Sequence, residues 1–134
     1  MLDHKSQRME MKLVRVLIAD DQPKVRFALR VALEGQPGPK TVGEATDTAD
    51  LLAQVRAACP DLLLLAWDLP EMPTPELLSE LHRICCHLKV IVLSEKSEAE
   101  KAARVVGVDA FVSKADPPEH LSSAISACWP QVRS

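Results

Sequence analysis

Short apolar runs rich in β-branched residues alternate along this chain with segments of helical periodicity, and that alternation leaves few folds open. VRVLIA (14–19), TVGEA (41–45), LLLLAW (62–67), KVIVLS (89–94) and DAFVS (109–113) read as strands. Between them, Val25, Ala28, Leu29, Ala32 and Leu33 recur at helical spacing after Pro23 and stop at Gly35. A second helix starts near Thr48, carries Leu51, Leu52, Val55, Ala58 and Cys59, and ends at Pro60. A third starts near Pro75 with Leu77, Leu78, Leu81, Ile84 and Leu88 on its buried side. A fourth spans 98–106 before Gly107, and Pro117 and Pro118 open a fifth through Leu121, Ala124, Ile125 and Cys128. Continuously apolar strands need both faces covered, and short strand–helix alternation implies right-handed crossovers between parallel strands. The expected fold is α/β, a doubly wound five-stranded parallel sheet with five helices.

A length of 134 residues fits one domain, expected over 13–129, with 1–12 as an N-terminal tail and 130–134 as a C-terminal tail or truncated linker. The formal net charge of −3 argues against direct nucleic-acid binding, which needs clustered Lys and Arg. No apolar run reaches the roughly 18 residues of a membrane span, and the charged N-terminus is unlike a signal peptide, so a cytoplasmic location is expected. Cys59, Cys85, Cys86 and Cys128 contain no C-x-x-C spacing and are expected to be reduced thiols in core and surface roles. His82, Cys85, Cys86 and His87 fan around a helix, so the expectation is no metal centre there.

Ligands of doubly wound sheets bind at the carboxyl ends of the strands. The first strand delivers Asp20 and Asp21, the third Ala66, Trp67 and Asp68, the fourth Ser94 and the fifth Lys114. Carboxylates are the ligands Mg²⁺ takes, and Ser and Lys are donors that suit phosphoryl oxygens. Taken singly, each acid or hydroxyl also fits a helix cap. Neither G-x-G-x-x-G nor G-x-x-x-x-G-K-[ST] follows a strand, so dinucleotide and P-loop cradles are missing.

LIADD ending in Asp20-Asp21, the P-D-L-L-L-L stretch from Pro60, Pro70, Ser94 in VIVLS, and Phe111 with Lys114 in AFVSK together resemble a response-regulator receiver domain, the CheY-like module of two-component phosphorelays. K-A-D-P-P-E-H-L is closer to the NarL-like branch. The resemblance implies a flavodoxin-like fold and a phosphoacceptor aspartate on the third strand. It implies Mg²⁺ at Asp20, Asp21 and the backbone carbonyl at Asp68, phosphoryl binding by Ser94 and Lys114, and a switch coupling Ser94 to Phe111. In the family the acceptor lies six residues after the Pro of P-D and four before the Pro of the next loop; both counts reach Ala66.

On that register the acceptor is replaced by a methyl group, which offers no attacking oxygen. The chain is then expected to be non-enzymatic, a regulatory interaction module with weak Mg²⁺ binding at most. The loop PEMPT places Glu71 and Thr74 where the family often has glycines, at positions that favour φ > 0. Ala115 follows Lys114 where many receivers have Pro. Expected partners are a sensor histidine kinase or another signalling protein, or a second copy. The expected surface is the fourth helix, fifth strand and fifth helix, or the first and fifth helices, with any DNA-binding output domain lying elsewhere. A natural pseudo-receiver and an engineered Asp-to-Ala change both account for Ala66. A Mg²⁺-dependent phosphate-handling enzyme built on Asp20, Asp21 and Asp68, and a receiver repurposed for a small ligand, stand as alternatives.

Overall fold

The computed structural model describes residues 14–67 and 69–128; the expected tails, 1–12 and 130–134, lie outside those residues, as do residue 13 and Trp129 at the edges of the expected domain. In chain order the elements are β1 (Val14–Ala19), α1 (Pro23–Glu34), β2 (Pro39–Ala45), α2 (Thr48–Ala58), β3 (Leu62–Ala66), α3 (Thr74–Ile84), β4 (Lys89–Ser94), α4 (Ala99–Val105), β5 (Ala110–Ser113) and α5 (Pro118–Cys128). All strand pairs are parallel, in the order β2-β1-β3-β4-β5.

Alternation within β3 explains why its leucines are continuous. Leu62 and Leu64 face a cluster closed by Leu29 and Leu33 of α1 and Leu121 and Ile125 of α5. Leu63 and Leu65 face the other cluster, closed by Leu51 and Val55 of α2, Leu77 and Leu81 of α3, and Ala103 of α4. All four leucines are 0% exposed, and each contributes about 2 kcal/mol of burial. A parallel strand buried on both faces has no polar side to show, which is why no period-2 pattern appears in its sequence.

The boundaries move in physically readable ways. α3 stops at Ile84, and Leu88 reaches the core from the following turn, where its N–H donates to the Cys85 carbonyl at 3.1 Å. β2 begins at Pro39 because the edge pairing runs back to Val14, with a register shift opposite Val16 and Leu17.

The cysteine expectation is corrected. Cys59 and Cys85 form a disulfide with their Cα atoms 5.8 Å apart, while Cys86 and Cys128 are free. The two residues cap α2 and α3, neighbours on one face of the sheet. A separation of 26 positions hides that adjacency until the helices pack. Burial pushes the Cys128 thiol up to about 11, with the Asp109 charge adding to the effect.

Candidate functional site

The order 2-1-3-4-5 reverses direction between β1 and β3, and the crevice at their carboxyl ends is where such a sheet holds ligands. Asp20 follows β1 and is 1% exposed; its N–H donates to the Ala45 carbonyl at 3.0 Å, which ties it to the end of β2. Its Oδ1 accepts the Gln22 N–H at 2.9 Å, and its Oδ2 lies 2.8 Å from Lys114 Nζ. Both oxygens of this buried carboxylate are therefore occupied. Lys114 is delivered by β5, its N–H donating to the Ser94 carbonyl at 2.9 Å. Asp21 is exposed beside them.

Ala66 is the last residue of β3, paired with Leu93 of β4, and 4% exposed. Ser94, equally buried at 4%, ends β4 and accepts the Lys96 N–H on its Oγ at 3.0 Å. A hollow of about 70 Å³ lies between these strand ends, lined by Asp21, Ala66, Trp67, Ser94, Lys96 and Lys114 among others. At roughly 30 Å³ per liquid water, that space suits a pair of waters or one small ion. The fold thus brings together Asp20, Asp21, Ala66, Ser94 and Lys114; Asp68 lies outside the described residues.

Phe111 of β5 stands opposite Val92, half-buried, and packs with Val106 and Val108 against the cluster under α2, α3 and α4. Glu71 takes φ +91°, as its position after β3 led us to expect. Thr74 does not share that conformation, since it is the first residue of α3.

Two ties in the β3–α3 loop escape a reading of the sequence. Thr74 Oγ1 donates to the Trp67 carbonyl and Thr48 Oγ1 to the Pro70 carbonyl, each at 2.6 Å. Both threonines are buried at the starts of helices, and that placement is the one signal their sequence context offered. Arg26 also supports the site, donating to the Asp20 carbonyl at 2.7 Å while pairing with Glu44 at 3.1 Å. Among the described residues, no group of three His, Cys, Asp or Glu side chains gathers for a metal, and no helix is long and apolar enough to cross a membrane.

Comparison with known proteins gives a consistent result. The family model described as the response regulator receiver domain matches residues 16–126. Response regulator UvrY of Escherichia coli O6:H1 is 30% identical over 119 residues, covering 87% of this chain and 55% of UvrY. The chain spans about half the length of the curated relatives it matches. Among solved structures, the isolated receiver domain of RcsB from Salmonella enterica serovar Typhimurium, studied with the phosphomimetic BeF₃⁻, superposes with a TM-score of 0.79. It is 25% identical, covering 86% of this chain and 87% of the RcsB domain. A LuxR-family two-component response regulator from Aurantimonas sp. SI85-9A1 gives a TM-score of 0.78 at 25% identity, covering 87% of this chain and 84% of that one.

Proposed function

Because the chain belongs to the response regulator receiver family of two-component signalling, we propose that it is a receiver that signals through protein contacts without taking a phosphoryl group, its acceptor position being held by Ala66. The observation that carries the reading is the place of Ala66. It ends β3, at the hollow it shares with Asp21, Ser94 and Lys114, where an acyl phosphate would need an attacking carboxylate oxygen. A methyl group supplies none, and it supplies neither the charge nor the acceptors that would draw Ser94 and Lys114 toward a phosphoryl group. Lys114 has instead the Asp20 carboxylate as its partner.

Asp20 and Asp21 are hard oxygen donors of the kind Mg²⁺ takes, with Asp68 as a third contributor, and the ion would neutralise charge at the site. Asp20 and Asp21 fit that role in chemistry. The Lys114 ammonium competes for Asp20, so binding is weak. Ser94 and Lys114 are the phosphoryl-binding pair of the ancestral arrangement, and Ser94 and Phe111 its switch. Phe111 has no hydroxyl to bond across the site, so packing alone chooses its rotamer. Partners, a sensor histidine kinase or another signalling protein, dock on α4, β5 and α5 or on α1 and α5, in the cytoplasm. The domain itself makes no direct contact with nucleic acid, in keeping with the chain's net charge of −3, and any DNA-binding output domain lies elsewhere.

A second reading, a working phosphoacceptor in which Asp has been changed to Ala, draws on the convergence of Asp20, Asp21, Ser94 and Lys114. Acetyl phosphate with Mg²⁺ tests the proposal, and can exclude the second reading. By intact-protein mass spectrometry the chain gains no phosphate, and Ala66→Asp gains one that hydroxylamine removes, because the remaining groups already position a phosphoryl donor. A labile phosphate on the unaltered chain, lost in Asp68→Asn, overturns the proposal. An inert Ala66→Asp variant excludes the second reading and leaves a receiver whose loop has diverged with its acceptor.

A further inference from the structure

The Cys59–Cys85 bond joins the ends of α2 and α3 at the amino-terminal edges of β3 and β4, opposite the site at the strands' carboxyl ends. Its two sulfurs belong to unequally reachable residues: Cys59 is exposed, Cys85 is 3% exposed. The free Cys86 is exposed beside it.

The helix ends do not rely on this bond alone. The Cys59 N–H donates to the Val55 carbonyl at 2.8 Å and the Cys85 N–H to the Leu81 carbonyl at 2.9 Å, so both helix ends are closed by backbone bonds. Val55, Leu81 and Leu88, which flank the pair, are at most 2% exposed. Scaffolds that need disulfides are those too small to build a core, whereas this sheet is covered on both faces. One local cost is visible: Cys59 holds a left-handed cap at φ 41°, a conformation unfavourable for a non-glycine residue.

We propose that Cys59 and Cys85 form a reversible dithiol–disulfide site, through which a small thiol such as glutathione sets the conformation of the α2–α3 end of the domain. A thiolate attacks Sγ of Cys59, the more exposed residue of the two; as the new S–S bond forms, the bond to Cys85 breaks, and Cys85 leaves with the electron pair and takes a proton. A second thiolate attacks the sulfur attached to Cys59, releasing the small-molecule disulfide and a Cys59 thiolate that is protonated in turn. Two thiols are oxidised and the protein disulfide is reduced by two electrons; glutathione disulfide drives the reverse. Reduction frees the left-handed cap to relax at the corner that leads through Pro60 into β3. The site gives the domain a covalent input that uses no residue of the hollow at Ala66, so it stands apart from the reading of that position.

The test is equilibration of the full chain in glutathione buffers of stepped reduced-to-oxidised ratio, followed by acid quench, alkylation and intact-mass measurement. The expected result is a two-electron transition that persists in Cys86→Ser and is lost in Cys59→Ser and in Cys85→Ser. On reduction, hydrogen exchange at residues 58–61 and 85–88 rises about tenfold while β1 is unchanged. A pair that stays as free thiols in fully oxidised buffer overturns the proposal. So does a bond that survives reduced glutathione for hours in the native state, or exchange that is identical in the two redox states. No phosphodonor enters the experiment, so its outcome and that of Ala66→Asp are independent.

Discussion

Lys114 Nζ lies 2.8 Å from Asp20 Oδ2, with the lysine side chain 13% and the aspartate side chain 2% exposed. A pair this dry is costly to break on one side. Lys114→Met leaves Asp20 buried without its counter-charge and is expected to lower stability by about 3 kcal/mol, measured by urea unfolding. Adding Asp20→Asn recovers part of the loss, because the stranded charge is gone. Additive losses in the double variant would show that the two side chains are not coupled.

The same contact governs metal affinity. Each carboxylate near Mg²⁺ contributes several kcal/mol of gross attraction at an effective dielectric of about 20, partly offset by desolvation. With Ala66 in place and Asp20 held by Lys114, Mg²⁺ is expected to bind at least about tenfold more weakly than to Ala66→Asp. A titration followed by Trp67 fluorescence, next to the hollow, compares the two; equal affinities would contradict the prediction.

Glu71 holds φ +91°, where an L side chain is strained and glycine is not. Glu71→Gly is expected to stabilise the domain by about 1 kcal/mol, the relief of strain exceeding glycine's added unfolded-state entropy. A thermal midpoint higher by about 3 °C in calorimetry is the expected readout.

Cys128, with its thiol pushed up to about 11 by burial, carries about a hundredfold less thiolate at pH 8 than a cysteine at 9.0. Iodoacetamide is therefore expected to label the exposed Cys86 well before Cys128. A folded value above the unfolded one means that this thiol's contribution to stability is full below about pH 9 and is lost as pH rises toward 11. Unfolding midpoints measured across that range should fall in the chain and fall less in Cys128→Ala.

Much of the site was legible because its residues sit where strands end. Asp20, Ser94 and Lys114 each follow an apolar run closely, so locating the runs located them, and two proline spacings fixed Ala66 at the end of β3. Thr48 and Thr74 were not legible, because a hydroxyl at the start of a helix reads as a local feature until the chain folds back and offers it a carbonyl from another loop. Glu71 was half of a paired expectation, and Thr74 failed the other half because α3 begins on it.

The sequence by itself determined the alternation of strands and helices, the two-sided burial of the sheet and the absence of an acid at position 66, since period, apolar length and residue identity are local properties. Only the tertiary structure decided that Lys114 turns to Asp20, that threonines from two helices pin the β3–α3 loop, and that Cys59 meets Cys85. Those contacts join residues 94, 22, 7 and 26 positions apart. Packing, which follows from burying the apolar faces all at once, is what sets such distances; no single segment encodes them.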